Sequence, residues 1–338
     1  MPEATLRLHL NENPYGAGRR VRKALERAAA DAHVYPDLKP LCADIAAMWG
    51  VDADQVTVGA GGDDILRRAV DVSAGPVVAP WPSFSVYPIL ARARGRVFAT
   101  VPPDDHGAAD PDTLAELALS QARPGTVLLA NPNNPTGGGR PREAYIAMAR
   151  RLPAWLVVVD EAYADFRDVL EPTAGVDTWP ENMIVARTLS KLHGLAGLRV
   201  GYAVGRGWGI KAVTDMGDEM SVGTLAVAGA RASLADTARL GRVRAVSLGR
   251  RRQMTRLLMD LGFEVGPSET NFLLVRPPEG VDADRLWERL RQEGVRLRRG
   301  RDLGVPGALR ISLGSGPQVR TLMTVLSRLV AAAGAATV

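Results

Sequence analysis

Short apolar runs rich in β-branched residues recur through the first two thirds of the chain, at 56–58, 76–79, 127–130, 156–159, 183–186 and 200–204. Helix-like stretches or loops separate them. A run that is apolar at every position suits a strand buried on both faces, as parallel sheets require. Strands alternating with helices in this way predict an α/β domain. From about Leu234 the pattern changes. A long basic amphipathic helix over 239–261 precedes strand-like runs at 263–265, 271–275, 295–298 and 309–313, with helices over 283–293 and 318–331. That second pattern predicts a smaller α+β domain with a partly antiparallel sheet.

Two of the apolar runs stop in polar chemistry. One reads Thr-Val-Leu-Leu-Ala-Asn-Pro-Asn-Asn-Pro-Thr-Gly from Thr126 to Gly137, a strand that breaks off in turn residues. The other, from Trp155 to Phe166, is Trp-Leu-Val-Val-Val-Asp-Glu-Ala-Tyr-Ala-Asp-Phe, a strand ending in a carboxylate. Open α/β sheets place their ligands beyond such C-terminal strand ends. A third segment, Ala186 to Arg199, reads Ala-Arg-Thr-Leu-Ser-Lys-Leu-His-Gly-Leu-Ala-Gly-Leu-Arg. A single lysine in a soluble protein is ordinarily a solvated charge. Lys191 differs in its company: hydroxyls at Thr188 and Ser190, a Gly-rich turn, and Arg199 further along the same segment.

Together these residues suit pyridoxal phosphate. Lys191 can form a Schiff base with an aldehyde cofactor and, once released by substrate, move a proton. A buried carboxylate such as Asp160 holds a proton on the ring nitrogen by charge pairing. Asn134 and Tyr163 can donate to the ring's phenolic oxygen, while Thr188, Ser190 and Arg199 suit its phosphate.

With these segments the chain resembles the fold-type I aminotransferases, and within them the histidinol-phosphate aminotransferase branch. The likeness runs through Leu10-Asn11-Glu12-Asn13-Pro14-Tyr15-Gly16, Tyr35-Pro36-Asp37, Val58-Gly59-Ala60-Gly61-Gly62-Asp63-Asp64, the Asn131–Gly137 turn, the Lys191 run, Asn271-Phe272 and Leu309-Arg310-Ile311-Ser312-Leu313-Gly314. It implies an α/β fold with a mostly parallel seven-stranded sheet in a large domain, 26–232. A smaller C-terminal domain follows at 233–338, and an N-terminal arm, 1–25, comes before. It implies that Gly62, Asp63 and Asp64 open a helix whose amides cradle the cofactor phosphate, although the family commonly has serine where Gly62 stands. Phe84 is implied to stack on the cofactor ring. Tyr35 is implied to reach the neighbouring subunit's cofactor phosphate, which makes a homodimer the expected assembly. Asn11, Tyr15, Arg298 and Arg310 fall to the substrate, with Arg310 receiving its anionic end and Arg298 matching an arginine used in phosphate recognition.

The balance of composition fits such an enzyme. Of 338 residues, 46% are hydrophobic and 23% charged, so a large core is affordable. The net charge of +5 is a small excess of 42 basic over 37 acidic residues, and aromatics are only 5%, which argues against a nucleic-acid partner. One cysteine, Cys42, leaves no internal disulfide and no Cys-based metal site. The opening residues lack a signal peptide's apolar core and the apolar tail is too short to span a bilayer, so a cytoplasmic location without membrane contact is expected.

The small-molecule partners are an amino donor and a 2-oxo acid, and three departures bear on which. Few residues precede Asn11, where the family has a longer arm. His193 stands where an apolar residue is common, and is read as a packed, hydrogen-bonded histidine. Glu219-Met220-Ser221 stands where the family has Pro, an aromatic, then Asn or Ser, and Asp218 and Glu219 bring negative charge there; facing the site, they would favour a cationic donor over a dicarboxylic one such as aspartate. The readings left open are transamination of histidinol phosphate with 2-oxoglutarate, transamination of another amino acid in a specialised pathway, and decarboxylation, elimination or oxidation on the same scaffold. A cofactor-binding regulator would need a DNA-binding domain for which the chain leaves no room.

Overall fold

The computed structural model describes residues 5–218 and 220–334. In chain order the strands are β1 (Leu6–Arg7), β2 (Val56–Gly59), β3 (Val77–Pro80), β4 (Phe98–Val101), β5 (Thr126–Ala130), β6 (Leu156–Asp160), β7 (Met183–Thr188), β8 (Gly201–Gly205), β9 (Glu264–Val265), β10 (Phe272–Arg276), β11 (Val295–Arg296), β12 (Arg298–Arg299) and β13 (Leu309–Ser312). Seven of them form one sheet in the order β2-β8-β7-β6-β5-β3-β4. All are parallel except β8, which runs against both its neighbours.

Side-chain alternation on these fully buried strands feeds two cores. Val127, Leu129, Val157, Val159 and Val185 pack on one face with Trp49, Tyr145 and Trp179. Leu128, Val158 and Ile184 pack on the other with Ile65, Leu66 and Tyr87. The period of two carries Asp160 onto the second face, and the ladder sets Ala130 and Ala186 directly beside it. Two small neighbours leave open space in front of that carboxylate.

The C-terminal part has its own antiparallel sheet, β12-β13-β10-β9. Its apolar face, Leu273, Val275, Leu309 and Ile311, covers helices Thr237–Asp260, Ala283–Gln292 and Gly316–Gly334 through Met254, Leu258, Leu290, Leu322 and Leu326. Alternation turns Phe272, Arg310 and Ser312 the other way, and Arg298 shares their face because it pairs directly with Arg310.

Two expectations are revised. Strand β4 was not anticipated: its residues are mostly half-buried, and they carry no continuous apolar run. The single strand expected over 295–298 is two, because Val295–Arg296 pairs with β1 and Arg298–Arg299 with β13, in separate sheets. The N-terminal segment packs on both parts of the molecule. Leu6–Arg7 pairs with Val295–Arg296 and Leu8 joins the small core, whereas helix Arg19–Ala28 packs on Thr224–Leu234 of the large one.

Candidate active site

A cavity of about 240 Å³ opens beyond the C-terminal ends of β5, β6 and β7. Gly62, Asp63, Phe84, Asn134, Asp160, Tyr163, Thr188, Ser190, Lys191 and Arg199 all line it. The sequence had marked each of them; the fold brings them together.

At its base, Asp160 accepts the Tyr87 hydroxyl at 3.1 Å and the Ala162 amide at 3.1 Å. No lysine or arginine is ion-paired with it among the described residues. Burial therefore dominates and pushes its pKa up to about 6, against those two hydrogen bonds and a weaker pull from Lys191. Tyr87 in turn meets Phe84 edge to face, with centroids 5.7 Å apart, and so fixes the ring on the cavity wall. The Lys191 amine donates to the Leu10 carbonyl at 3.2 Å and lies 5.6 Å from the Tyr163 ring centre, with no carboxylate partner among the described residues.

Opposite, helix Gly62–Asp71 begins at the cavity; the Asp64 amide donates to the Gly61 carbonyl at 3.2 Å, which leaves those of Gly62 and Asp63 without a backbone acceptor among the described residues. Gly61 has φ +88°, and a Cβ there would lie 2.5 Å from the Arg199 guanidinium, so only glycine fits this approach. Arg199 reaches Asp63 at 3.0 Å and Ser190 at 3.4 Å, and Ser190 receives the Thr188 hydroxyl at 3.0 Å. The Arg199–Asp63 pair is about half exposed and weak enough for an incoming anion to replace.

The N-terminal segment crosses this cavity. Asn11, whose backbone has φ +55°, donates through its side chain to the Tyr163 hydroxyl at 2.9 Å and accepts from the Ser312 hydroxyl at 2.9 Å. Arg310 is buried behind Asn134, donating to its Oδ1 at 2.6 Å and to the His9 carbonyl at 2.8 Å. Burial lowers its pKa to about 10, with Arg298 acting in the same direction, and its Nε has no partner. A buried guanidinium with spare donors is built to receive an anion.

Not every expected residue lies on the cavity. Asp64 turns away to Arg68 at 2.5 Å, Arg67 at 2.7 Å and the Ala60 amide at 3.2 Å, so it caps the helix start instead of lining the site. Tyr15 lies on another surface, beside Asn271 and Arg250. Tyr35 is 82% exposed, clear of this chain's own cavity. Arg298 borders a different cavity from Lys191. Asp218 is exposed, its carboxylate accepting from the Met220 amide at 2.8 Å, and it does not line the Lys191 cavity; Glu219 lies outside the described residues. His193 is buried, bonded to Ser233 at 2.9 Å and shifted down in pKa by burial. Two functional groups escaped the sequence reading. Glu12 lines the cavity, its carboxylate held by Arg7 at 2.7 Å, and Tyr87 holds Asp160. Glu12 stands inside the Leu10–Gly16 motif, but only the fold sets it at the cavity.

An uncompensated buried carboxylate, a lysine without a carboxylate partner, free amides at Gly62 and Asp63 and a displaceable arginine fit one group, pyridoxal phosphate, and so define a pyridoxal-phosphate enzyme. The comparisons agree, and the chain belongs to the aminotransferase class I and II family, whose model matches residues 3–329. It is similar to histidinol-phosphate aminotransferase 1 of Bordetella parapertussis, 36% identical over 96% of this chain and 92% of that one. It is 37% identical to histidinol-phosphate aminotransferase 1 of Bradyrhizobium diazoefficiens, over 97% of this chain and 93% of the other. Among solved structures, the histidinol-phosphate aminotransferase of Sinorhizobium meliloti in complex with pyridoxal-5'-phosphate superposes with a TM-score of 0.88 at 28% identity, over 96% of this chain and 90% of that chain. The protein is thus an amino-group transferase that uses pyridoxal phosphate.

Proposed function

We propose that this chain transfers the amino group of histidinol phosphate to a 2-oxo acid such as 2-oxoglutarate, a reaction of histidine biosynthesis, and that it works as a homodimer. The observation that carries the substrate reading is Arg310, a buried guanidinium with an unpartnered Nε and with Arg298 beside it in the ladder. Two adjacent arginines without carboxylate partners match a phosphate dianion in charge better than a single carboxylate. The names of the relatives point the same way.

When bound, pyridoxal phosphate supplies an aldehyde that condenses with amines and a ring that withdraws electrons from the carbon beside them. Lys191 would hold the aldehyde and then carry the proton between substrate carbons. Asp160 would keep the ring nitrogen protonated, Asn134 and Tyr163 would face the phenolic oxygen, and Phe84 would cover the ring. The amides of Gly62 and Asp63, with Thr188, Ser190 and Arg199, would hold the phosphate. Tyr35, exposed on its own chain, would complete the site of a second subunit.

The test is a donor screen on the cofactor-loaded protein, following the visible absorbance of the lysine-bound cofactor. Histidinol phosphate should discharge that absorbance, with 2-oxoglutarate restoring it, and Lys191→Ala should lose at least about 10³-fold in turnover. A wild-type protein that reacts with aspartate in preference to histidinol phosphate refutes the substrate reading. Mixing Lys191→Ala with Tyr35→Ala chains should recover part of the activity, and full activity in a sedimenting monomer refutes the dimer.

A further inference from the structure

We propose that Arg68, which does not line the Lys191 cavity, is a positioning residue for the amides that take the cofactor phosphate. The proposal rests on the reading that Gly62 and Asp63 form that cup. Arg68 lies further along the helix that these two residues open, and only 2% of it is exposed. A guanidinium taken out of water needs several partners, and its planar fork holds them at fixed angles.

Those partners come from three segments. One Nη donates to the Val58 carbonyl at 3.2 Å, in β2 just ahead of the glycine-rich turn. The other donates to Asp64 Oδ2 at 2.5 Å and to the Ser221 hydroxyl at 3.1 Å, shortly before helix Thr224–Leu234. The same Asp64 oxygen accepts the Ala60 amide at 3.2 Å. Guanidinium and carboxylate thus grip the turn at two points, the carbonyl that enters it and an amide inside it. Between the grips, the Gly61 amide closes on the Gly59 carbonyl at 2.7 Å. Glycine at 59 lets the carboxylate pass, since a Cβ there would lie 2.5 Å from Asp64 Oδ2. A Cβ on Gly217 would strike the guanidinium, so the backbone also closes over it from the Ser221 side. Arg67 takes the other Asp64 oxygen at 2.7 Å, but its side chain is 42% exposed and bonds only Asp64 and Asp71. It balances charge without reaching the turn. The directions of the Gly62 and Asp63 N–H groups follow from the turn before them. Backbone donors fixed before an anion arrives bind it at a lower ordering cost.

The test compares two ligands by absorbance titration of the full chain after cofactor removal. One is pyridoxal phosphate; the other is pyridoxal, which has the same ring and aldehyde without the phosphate. Wild type should bind the first far more tightly. Arg68→Met should weaken pyridoxal phosphate by about tenfold and pyridoxal by less than about twofold, with Arg68→Lys recovering part of the loss. Equal weakening of both ligands overturns the proposal, because a general brace would loosen ring and phosphate alike. Unchanged binding overturns it as well. If Arg68→Met does not fold, Asp64→Asn decides by the same comparison. It keeps an oxygen for the Ala60 amide, removes the charge that holds Arg68, and should weaken pyridoxal phosphate alone by about three- to fivefold. A wild type that binds the two ligands alike sinks the phosphate cup and the clamp with it. A wild-type preference that survives in full in the variants sinks the clamp alone.

Discussion

Asp160 and Glu161 are neighbours in the chain, both buried, yet they emerge on opposite faces of the large sheet with opposite electrostatic fates. Glu161 receives Arg142 at 2.7 and 2.9 Å and Arg187 at 2.7 and 3.0 Å, and those guanidiniums lie against Trp49 and Trp179. Burial alone would raise its pKa, but the two arginines outweigh burial and hold it below the usual range. Asp160 has two neutral hydrogen bonds, no paired cation and open space in front, and its pKa is raised. The same strand end thus carries a structural carboxylate with its charge balanced inside the protein and a functional one whose counter-charge must come from a ligand.

Exchanging the acids for amides should separate the two roles. Asp160→Asn should fold normally, retain weak cofactor binding and lose roughly 10²- to 10⁴-fold in turnover, measured as the donor half-reaction; a loss below tenfold would place the electron sink elsewhere. Glu161→Gln should instead cost about 3–5 kcal/mol of stability by leaving two buried guanidiniums short of charge, read from denaturant unfolding. A stable variant with impaired chemistry would reverse the comparison.

The cofactor-free protein should also show the contrast in its pH dependence. With Asp160 raised from 3.8 to about 6, the folded state binds more protons than the unfolded chain between those values. Stability therefore falls as pH rises through this window, by at most about 3 kcal/mol. Asp160→Asn should flatten that slope, and cofactor should do the same by supplying the missing positive charge. An unchanged slope in the variant would show that Asp160 is not its source. The smallest effect is expected at position 62. A Cβ on Gly62 meets nothing nearer than Thr188 Cβ at 3.7 Å, so serine fits without strain. Gly62→Ser should tighten cofactor binding by a factor of about three to ten through one added donor. Weaker binding on absorbance titration would mean that the cup is already full.

The cofactor end was far more legible in the sequence than the substrate end. Lys191, Asp160, Asn134 and Arg199 each sit where a strand meets a turn, so the local pattern announces them. Six of the seven large-sheet strands were legible for the same reason, being apolar at nearly every position. The substrate end depends on pairings between distant parts of the chain. Nothing near Leu6 says that it will lie beside Val295, and so nothing local says that His9 and Glu12 will face two different cavities. Asp63 and Asp64 are indistinguishable in sequence, and only the helix phase sends one to the cavity and the other to Arg68. Asp218 is the converse case, a charge that matters to no described cavity.

The reversal of β8 has a mechanical consequence. A parallel strand would need a long crossover between β7 and its neighbour. The antiparallel turn lets the chain return at once, and the Leu189 amide closes the loop on the Val200 carbonyl at 3.0 Å. Lys191 and Arg199 ride on that one closed loop, and both face the same cavity. Glycines press it in place: a Cβ on Gly194 would lie 2.5 Å from the Gly16 carbonyl oxygen, and one on Gly201 would strike the Gly61 backbone. The spacing between Lys191 and Arg199 is therefore held by backbone contacts rather than by side chains, so a bound molecule meets two anchors whose separation is built into the main chain.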